Sequence, residues 1–186
     1  MVGAIWWASR VRQVTTCEPL PHWLAEESPA LTRFCILYSG RGTFGWQVAP
    51  GILESILVVA GQSVELVPIN SSLENCDTIL QTLFDIEPEV VVLAATFPGE
   101  LGIMQTRQHW PSTVRVVVAV AAGLGDFSAE LTQIANGVLG PSQWEPGVTF
   151  PNIAGPTSDW FWTVFNGSSG RHPTTSPPEV LLPRWF

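Results

Sequence analysis

The residues of this sequence with the most chemical promise are few. His22, His109 and His172 fall in a tail, at a helix end and in a second tail, outside any recognisable zinc-ligand pattern. Cys17, Cys35 and Cys76 form neither a zinc pattern nor an even disulfide framework. Cys35 sits in an apolar run and is expected to be a buried small hydrophobe. The chain contains no Lys, which removes Schiff-base chemistry and a phosphate-loop lysine. Gly40-Arg41-Gly42-Thr43-Phe44-Gly45 follows an apolar run and opens a helix, the context of a dinucleotide fingerprint, with Glu65 twenty residues beyond Gly45. Glu65, however, falls in the middle of its expected strand, whereas a ribose-binding acid belongs at a strand end. Pro50 also interrupts the helix that would hold the pyrophosphate. A tight strand-to-helix turn is therefore the favoured reading. An NAD-dependent oxidoreductase using Gly40 to Gly45 is kept as the alternative.

Elements that position such residues need a core, and 46% of the 186 residues are apolar. Only 13% are charged, about half the usual share, so some apolar surface is expected to meet a ligand, a second lobe or another chain. The net charge of −8 and the scattered Arg argue against nucleic acid. No window approaches a membrane span. The start, MVGAIWWASRVRQ, has its charges after a short apolar patch, the reverse of a secretory signal. A cytoplasmic location is expected for the chain as written, and the sequons at Asn70 and Asn166 are read as chance matches.

The pattern predicts an irregular segment over 1–33, an α/β ligand-binding lobe over 34–150, and an aromatic helix with a loose tail over 151–186. Within the lobe, strands are expected at 34–39, 63–69, 90–95, 114–123 and near 137–144. Helices are expected from Thr43, with Thr43 as a cap and either a kink or a late start at Pro50. Others are expected over 74–86, over 98–108, and over 127–135 with Asp126 as cap. The 157–167 stretch is read as a helix. The alternation gives an α/β fold: an open, mostly parallel five-stranded sheet with helices on both faces.

Ligands of such sheets bind at the carboxyl ends of the strands. The loops expected there carry Ser39, Arg41, Thr43, Thr96, Phe97, Asp126, Gln143, Trp144 and Glu145. Hydroxyls, amides and aromatics with few charges suit the binding of a small polar molecule better than chemistry on it.

Several segments resemble type 1 periplasmic-binding-like proteins, especially the branched-chain amino-acid (Leu/Ile/Val) group. They are WWASRVRQ, ILYSGRGTFGWQVAPGILE, EPEVVVLAATFPGELGIMQTRQ, ANGVLGPSQWEP and SDWFWTVFNGSSGRHPTT, together covering residues 5–175. The match is to the second lobe alone, and residues 1–33 would be a remnant of the crossover between lobes. The resemblance implies recognition of an amino acid or small amide between two lobes, typically outside the cytoplasm and for an ABC transporter. By motif position, Phe44 falls where the family places an aromatic over the ligand. Thr96 and Phe97 fall on a ligand-contacting loop, and Trp144 on a further one. With Ser39 and Thr43, these make the expected ligand-binding set.

The first lobe and the family's closing helix are missing from the match, so a truncated solute-binding domain with weak or lost affinity is expected. No enzyme activity, metal or cofactor is expected. The partners expected are a small solute and a separate first lobe or second copy. A protein-interaction module is a further alternative.

Overall fold

Four strand-forming runs of the sequence are each followed by a helical segment, and the chain folds accordingly. The computed structural model describes residues 24, 28, 30–59, 61–69, 76–140, 160, 163 and 164. The elements are β1 (Arg33–Ser39), α1 (Thr43–Leu57), β2 (Ser63–Ile69), α2 (Cys76–Ile86), β3 (Val90–Ala94), α3 (Phe97–Gln105), β4 (Val116–Ala119), α4 (Gly125–Leu131) and β5 (Val138–Leu139). Short 3₁₀ turns occupy Arg107–His109, Val120–Gly123 and Thr132–Ala135. The sheet order is β2-β1-β3-β4-β5, and every pairing is parallel. The expected fold class is thus the observed one.

Strand alternation divides two cores. Phe34, Ile36 and Tyr38 of β1, with Val90, Val92 and Ala94 of β3, meet Val48, Ala49, Ile52 and Ile56 of α1. Cys35, Leu37, Val91 and Leu93 point the other way, toward Ile79 and Leu83 of α2, Ile103 and Met104 of α3, and Phe127 and Leu131 of α4. Both faces of the sheet are therefore covered, which is why β1 and β3 carry near-continuous apolar runs. Cys35 is fully buried, and burial, with Glu65 adding repulsion, pushes its thiol up to about 12. It behaves as the small hydrophobe expected.

Pro68 belongs to β2, which lies at the sheet edge, where a missing N–H breaks no ladder.

Several boundaries differ from expectation. α1 begins at Thr43 and runs through the exposed Pro50, neither stopping nor starting there. Its cap is Gly42, whose φ of 81° turns the chain one residue before Thr43, and no side chain caps it. α4 starts at Gly125 behind Leu124, which puts Asp126 in its first turn and not at the cap. It stops at Leu131 because Thr132 takes a φ of 50°, outside the helical region. The expected strand over 114–123 is reduced to Val116–Ala119, for a reason found at the site below. The expected C-terminal helix lies almost wholly outside the described residues, of which Trp160, Thr163 and Val164 are helical.

The amino edge of the sheet is tied by one carboxylate. Glu89 accepts the N–H of Thr32 at 2.8 Å and of Arg33 at 3.1 Å, and the Arg33 guanidinium stands 3.8 Å away. The Thr32 N–H is the main reason its carboxyl is held below the usual carboxylate range; partial burial opposes this, and Arg33 adds to it.

Two substitutions test this account. A Cβ on Gly45 would collide with the Ser39 backbone, its carbonyl oxygen first, because α1 packs there directly on the end of β1. Gly45→Ala is expected to cost about 1–3 kcal/mol in equilibrium denaturation. Glu89→Ala is expected to cost about 1–3 kcal/mol at neutral pH. Because the folded carboxyl titrates below its unfolded value, that deficit should shrink as pH falls through the carboxylate range.

Candidate functional site

All five strands point the same way, so their carboxyl ends share one edge. From β1 the chain turns left to β2 and then crosses right to β3, so the order reverses between β1 and β3. Such a reversal leaves a crevice where the two following loops diverge to opposite faces. The turn 39–43 borders it on one side and the turn 95–97 on the other.

The first turn is pinned from within. The buried Ser39 hydroxyl donates to the Arg41 carbonyl at 2.9 Å, and the Gly40 N–H donates to the Ile69 carbonyl at 3.0 Å. The Trp46 indole N–H donates to the Gly40 carbonyl at 3.3 Å, and its ring stands edge-on to Tyr38 at 5.7 Å. The glycine pattern therefore serves a tight turn and the close approach of α1. Glu65 is exposed and pairs with Cys35 in mid-strand, four residues short of the carboxyl end at Ile69. That is the wrong place for a ribose-binding acid.

On the far side, Thr96 is exposed and extended at the cap of α3, and its side chain makes no capping bond. Phe97 is half-buried and packs on the core beneath α3. Phe44, in the first turn of α1, is 47% exposed.

The structure thus brings Thr43, Phe44, Thr96 and Phe97 to the two sides of one crevice. Ser39 lies under the first turn with its hydroxyl already engaged. Arg41 is exposed at the same turn, and Asp126 is exposed beyond β4. Gln143, Trp144 and Glu145 lie outside the described residues.

One group that matters here escaped the sequence reading. Glu100 is fully buried, and its two carboxylate oxygens reach separate segments. Oε1 accepts the Ala95 N–H at 3.1 Å, directly before Thr96, and Oε2 accepts the Ala121 N–H at 2.8 Å, just past β4. That second bond draws the chain into the 3₁₀ turn Val120–Gly123, which is why β4 ends at Ala119. Burial pushes the Glu100 carboxyl up to about 7, against the backbone N–H groups of Ala121, Ala95 and Val120, which favour the charge. Helical spacing held a clue: Glu100 shares a face with Ile103 and Met104, both buried.

Arg107 also escaped notice. Its guanidinium donates to the carbonyls of Ile134 at 2.6 Å and Asn136 at 2.9 Å, fixing the approach to β5. Partial burial lowers its pKa from the ordinary guanidinium value.

No protein-family model matches the sequence, and no significant match is found among curated proteins. Solved structures do match in fold. A leucine-binding protein from Thermotoga maritima MSB8 aligns with a TM-score of 0.69 at 15% identity, over 86% of this chain and 44% of that one. An amino-acid ABC transporter substrate-binding protein from Pseudomonas fluorescens Pf-5 gives 0.67 at 15% identity, over 88% and 42%. A periplasmic binding protein from Burkholderia mallei gives 0.63 at 11%, over 86% and 40%. At these identities the likeness is one of fold: a five-stranded parallel α/β sheet matching one lobe of a periplasmic binding protein. These neighbours are binding proteins, not enzymes, and the chain spans less than half the length of each.

The Glu100 geometry makes a prediction about stability. Its carboxyl is near 7 when folded and ordinary, near 4.5, when unfolded, so the folded state holds the extra proton between these values. Its contribution is complete below pH 4.5 and falls as pH rises to 7, by on the order of 3 kcal/mol. In Glu100→Gln this descent should vanish. The variant should start less stable at pH 5, since an amide nitrogen there faces a backbone donor and leaves it unpaired. Urea melts across pH 5–8.5 measure both.

Proposed function

We propose that this chain is a solute-binding lobe of the kind used by ABC transporters. Its ligand is an amino acid or small amide seated in the crevice between β1 and β3. The observation that carries this reading is the meeting of two helix starts at the strand-order reversal, each flanked by an exposed hydroxyl and an aromatic ring. The N–H groups in the first turn of α1, and those of Phe97 and Gly99 at the start of α3 (Pro98 has none), favour an anionic group such as a carboxylate. Thr43 and Thr96 offer hydroxyls beside them, and Phe44 and Phe97 offer apolar surface for an aliphatic side chain. Ser39 acts beneath, holding the first turn. Trp144, outside the described residues, is proposed as a further ligand contact on its motif position alone.

The resemblance in sequence and the likeness in fold to leucine- and amino-acid-binding proteins support the choice of ligand class. Groups that bind and orient, with no nucleophile paired to a base among them, support binding over catalysis.

A single lobe covers one side of a ligand. Good affinity requires most of the ligand surface to be buried, so weak binding is proposed for this lobe acting alone. A separate first lobe or a second copy would raise it.

A thermal-shift titration with L-leucine, other amino acids and small amides tests the reading. Stabilisation follows RT ln(1 + [L]/Kd), about 2.7 kcal/mol at a hundredfold excess over Kd. Millimolar L-leucine is expected to raise the Tm. Phe97→Ala and Thr96→Ala should weaken the effect roughly 5- to 30-fold in apparent Kd, the loss of about 1–2 kcal/mol of contact. A cooperative melt that no amino acid or amide shifts would sink the proposal.

A further inference from the structure

Glu100 is the one charged residue that is buried among the described residues, and it has an uncommon position. Its carboxylate is the link between two segments that sequence holds far apart. One oxygen holds Ala95, immediately before Thr96 and Phe97. The other holds Ala121, in the turn leading from β4 to Leu124 and α4. Both segments lie along the carboxyl edge of the sheet, and the first forms one wall of the crevice. Among the described residues, no other side-chain hydrogen bond joins these two loops. If the carboxyl leaves its place, two buried N–H donors lose their acceptors together.

We propose that Glu100 is a proton-linked latch for the solute site, holding the loops after β3 and β4 in the arrangement that presents Thr96 and Phe97. The inference rests on the solute-binding reading for its consequence, though not for the latch itself.

The direction follows from burial. An enclosed carboxyl with no cation beside it favours its neutral form, whereas a carboxyl opened to water favours the charged one. The packed surroundings carry little countercharge. β3, β4 and the turns Val120–Gly123 and Thr132–Ala135 contain no ionisable side chain, and Glu100 is the only one on α3. On α4 stand Asp126 and Glu130, both exposed, and beyond the far end of α3 stand Arg107 and His109. None of the four figures among the influences on Glu100, which are burial first and three backbone N–H groups after it.

The enclosed arrangement, with a carboxyl near 7, is therefore favoured at acid pH. It loses that advantage as pH rises, by up to about 30-fold between pH 5.5 and 8.5. Solute affinity is expected to fall with it.

The experiment uses the full chain labelled with ¹⁵N and ¹³C. Hydrogen exchange at the Ala95 and Ala121 amides, corrected for intrinsic base catalysis, is followed from pH 5 to 8.5 beside the ¹³C shift of the Glu100 carboxyl. L-leucine binding is measured calorimetrically at pH 5.5 and 8.5.

The expected result is a Glu100 midpoint near 7, a loss of protection at both amides with that midpoint, and a leucine Kd at least threefold larger at pH 8.5. In Glu100→Gln, protection and Kd should lose their midpoint. Should that variant fail to fold, coincidence of the carboxyl and amide midpoints in the wild type carries the test. A carboxyl titrating in the ordinary range, or amides indifferent to its titration, overturns the latch. Leucine binding with one Kd at both pH values overturns its link to the site and leaves the solute reading standing. Amides that follow Glu100 while leucine binds at neither pH overturn the solute reading and leave the latch as a device of the fold.

Discussion

Burial of β1 and β3 on both faces is the constraint from which the rest of this structure follows. A strand covered on two sides has no place for a polar side chain along its length, so chemistry is confined to its ends. β1 contributes residues to both cores, and β3 is wholly enclosed. Parallel pairing then sends every carboxyl end to one edge, and the sheet order opens a crevice between the two most buried strands. The loops that border this crevice emerge from the two most buried strands of the sheet.

The two ends of that central pair are finished by carboxylates in opposite circumstances. Glu89, at the amino edge, is reached by water, by two N–H groups and by an arginine, and it keeps its charge readily. Glu100, at the carboxyl edge, is enclosed with backbone N–H donors alone, and it holds its proton into the neutral range. The same side chain thus titrates below the usual carboxylate range at one end and near 7 at the other. The difference is desolvation, which a partly solvated carboxylate with a nearby guanidinium largely escapes.

The turn between β1 and α1 shows how little sequence distinguishes two uses of glycine. Gly42 supplies a backbone angle, and Gly45 supplies the absence of a side chain where the helix meets Ser39. A dinucleotide fingerprint uses glycines for the same two physical ends and adds an acid at the end of the next strand. Here that position is taken by Ile69, buried, while Glu65 stands in the middle of an edge strand.

The sequence by itself determined the class of fold. Apolar runs such as VVVLA and the helical period of α1 are local patterns, and burial on one or two faces can be read directly from them. It also put Thr43, Phe44, Thr96 and Phe97 just past strand ends, because an alternating fold must carry its loops there. Only the tertiary structure decided the strand order, and with it which loops face each other across the crevice. It alone decided that Ser39 turns inward, that β4 stops at Ala119, and that Glu100 and Arg107 tie segments 21 to 29 residues apart. The physical reason is range: periodicity reports the environment of a residue along its own element, whereas a hydrogen bond between elements depends on neighbours that the chain brings together only when it folds.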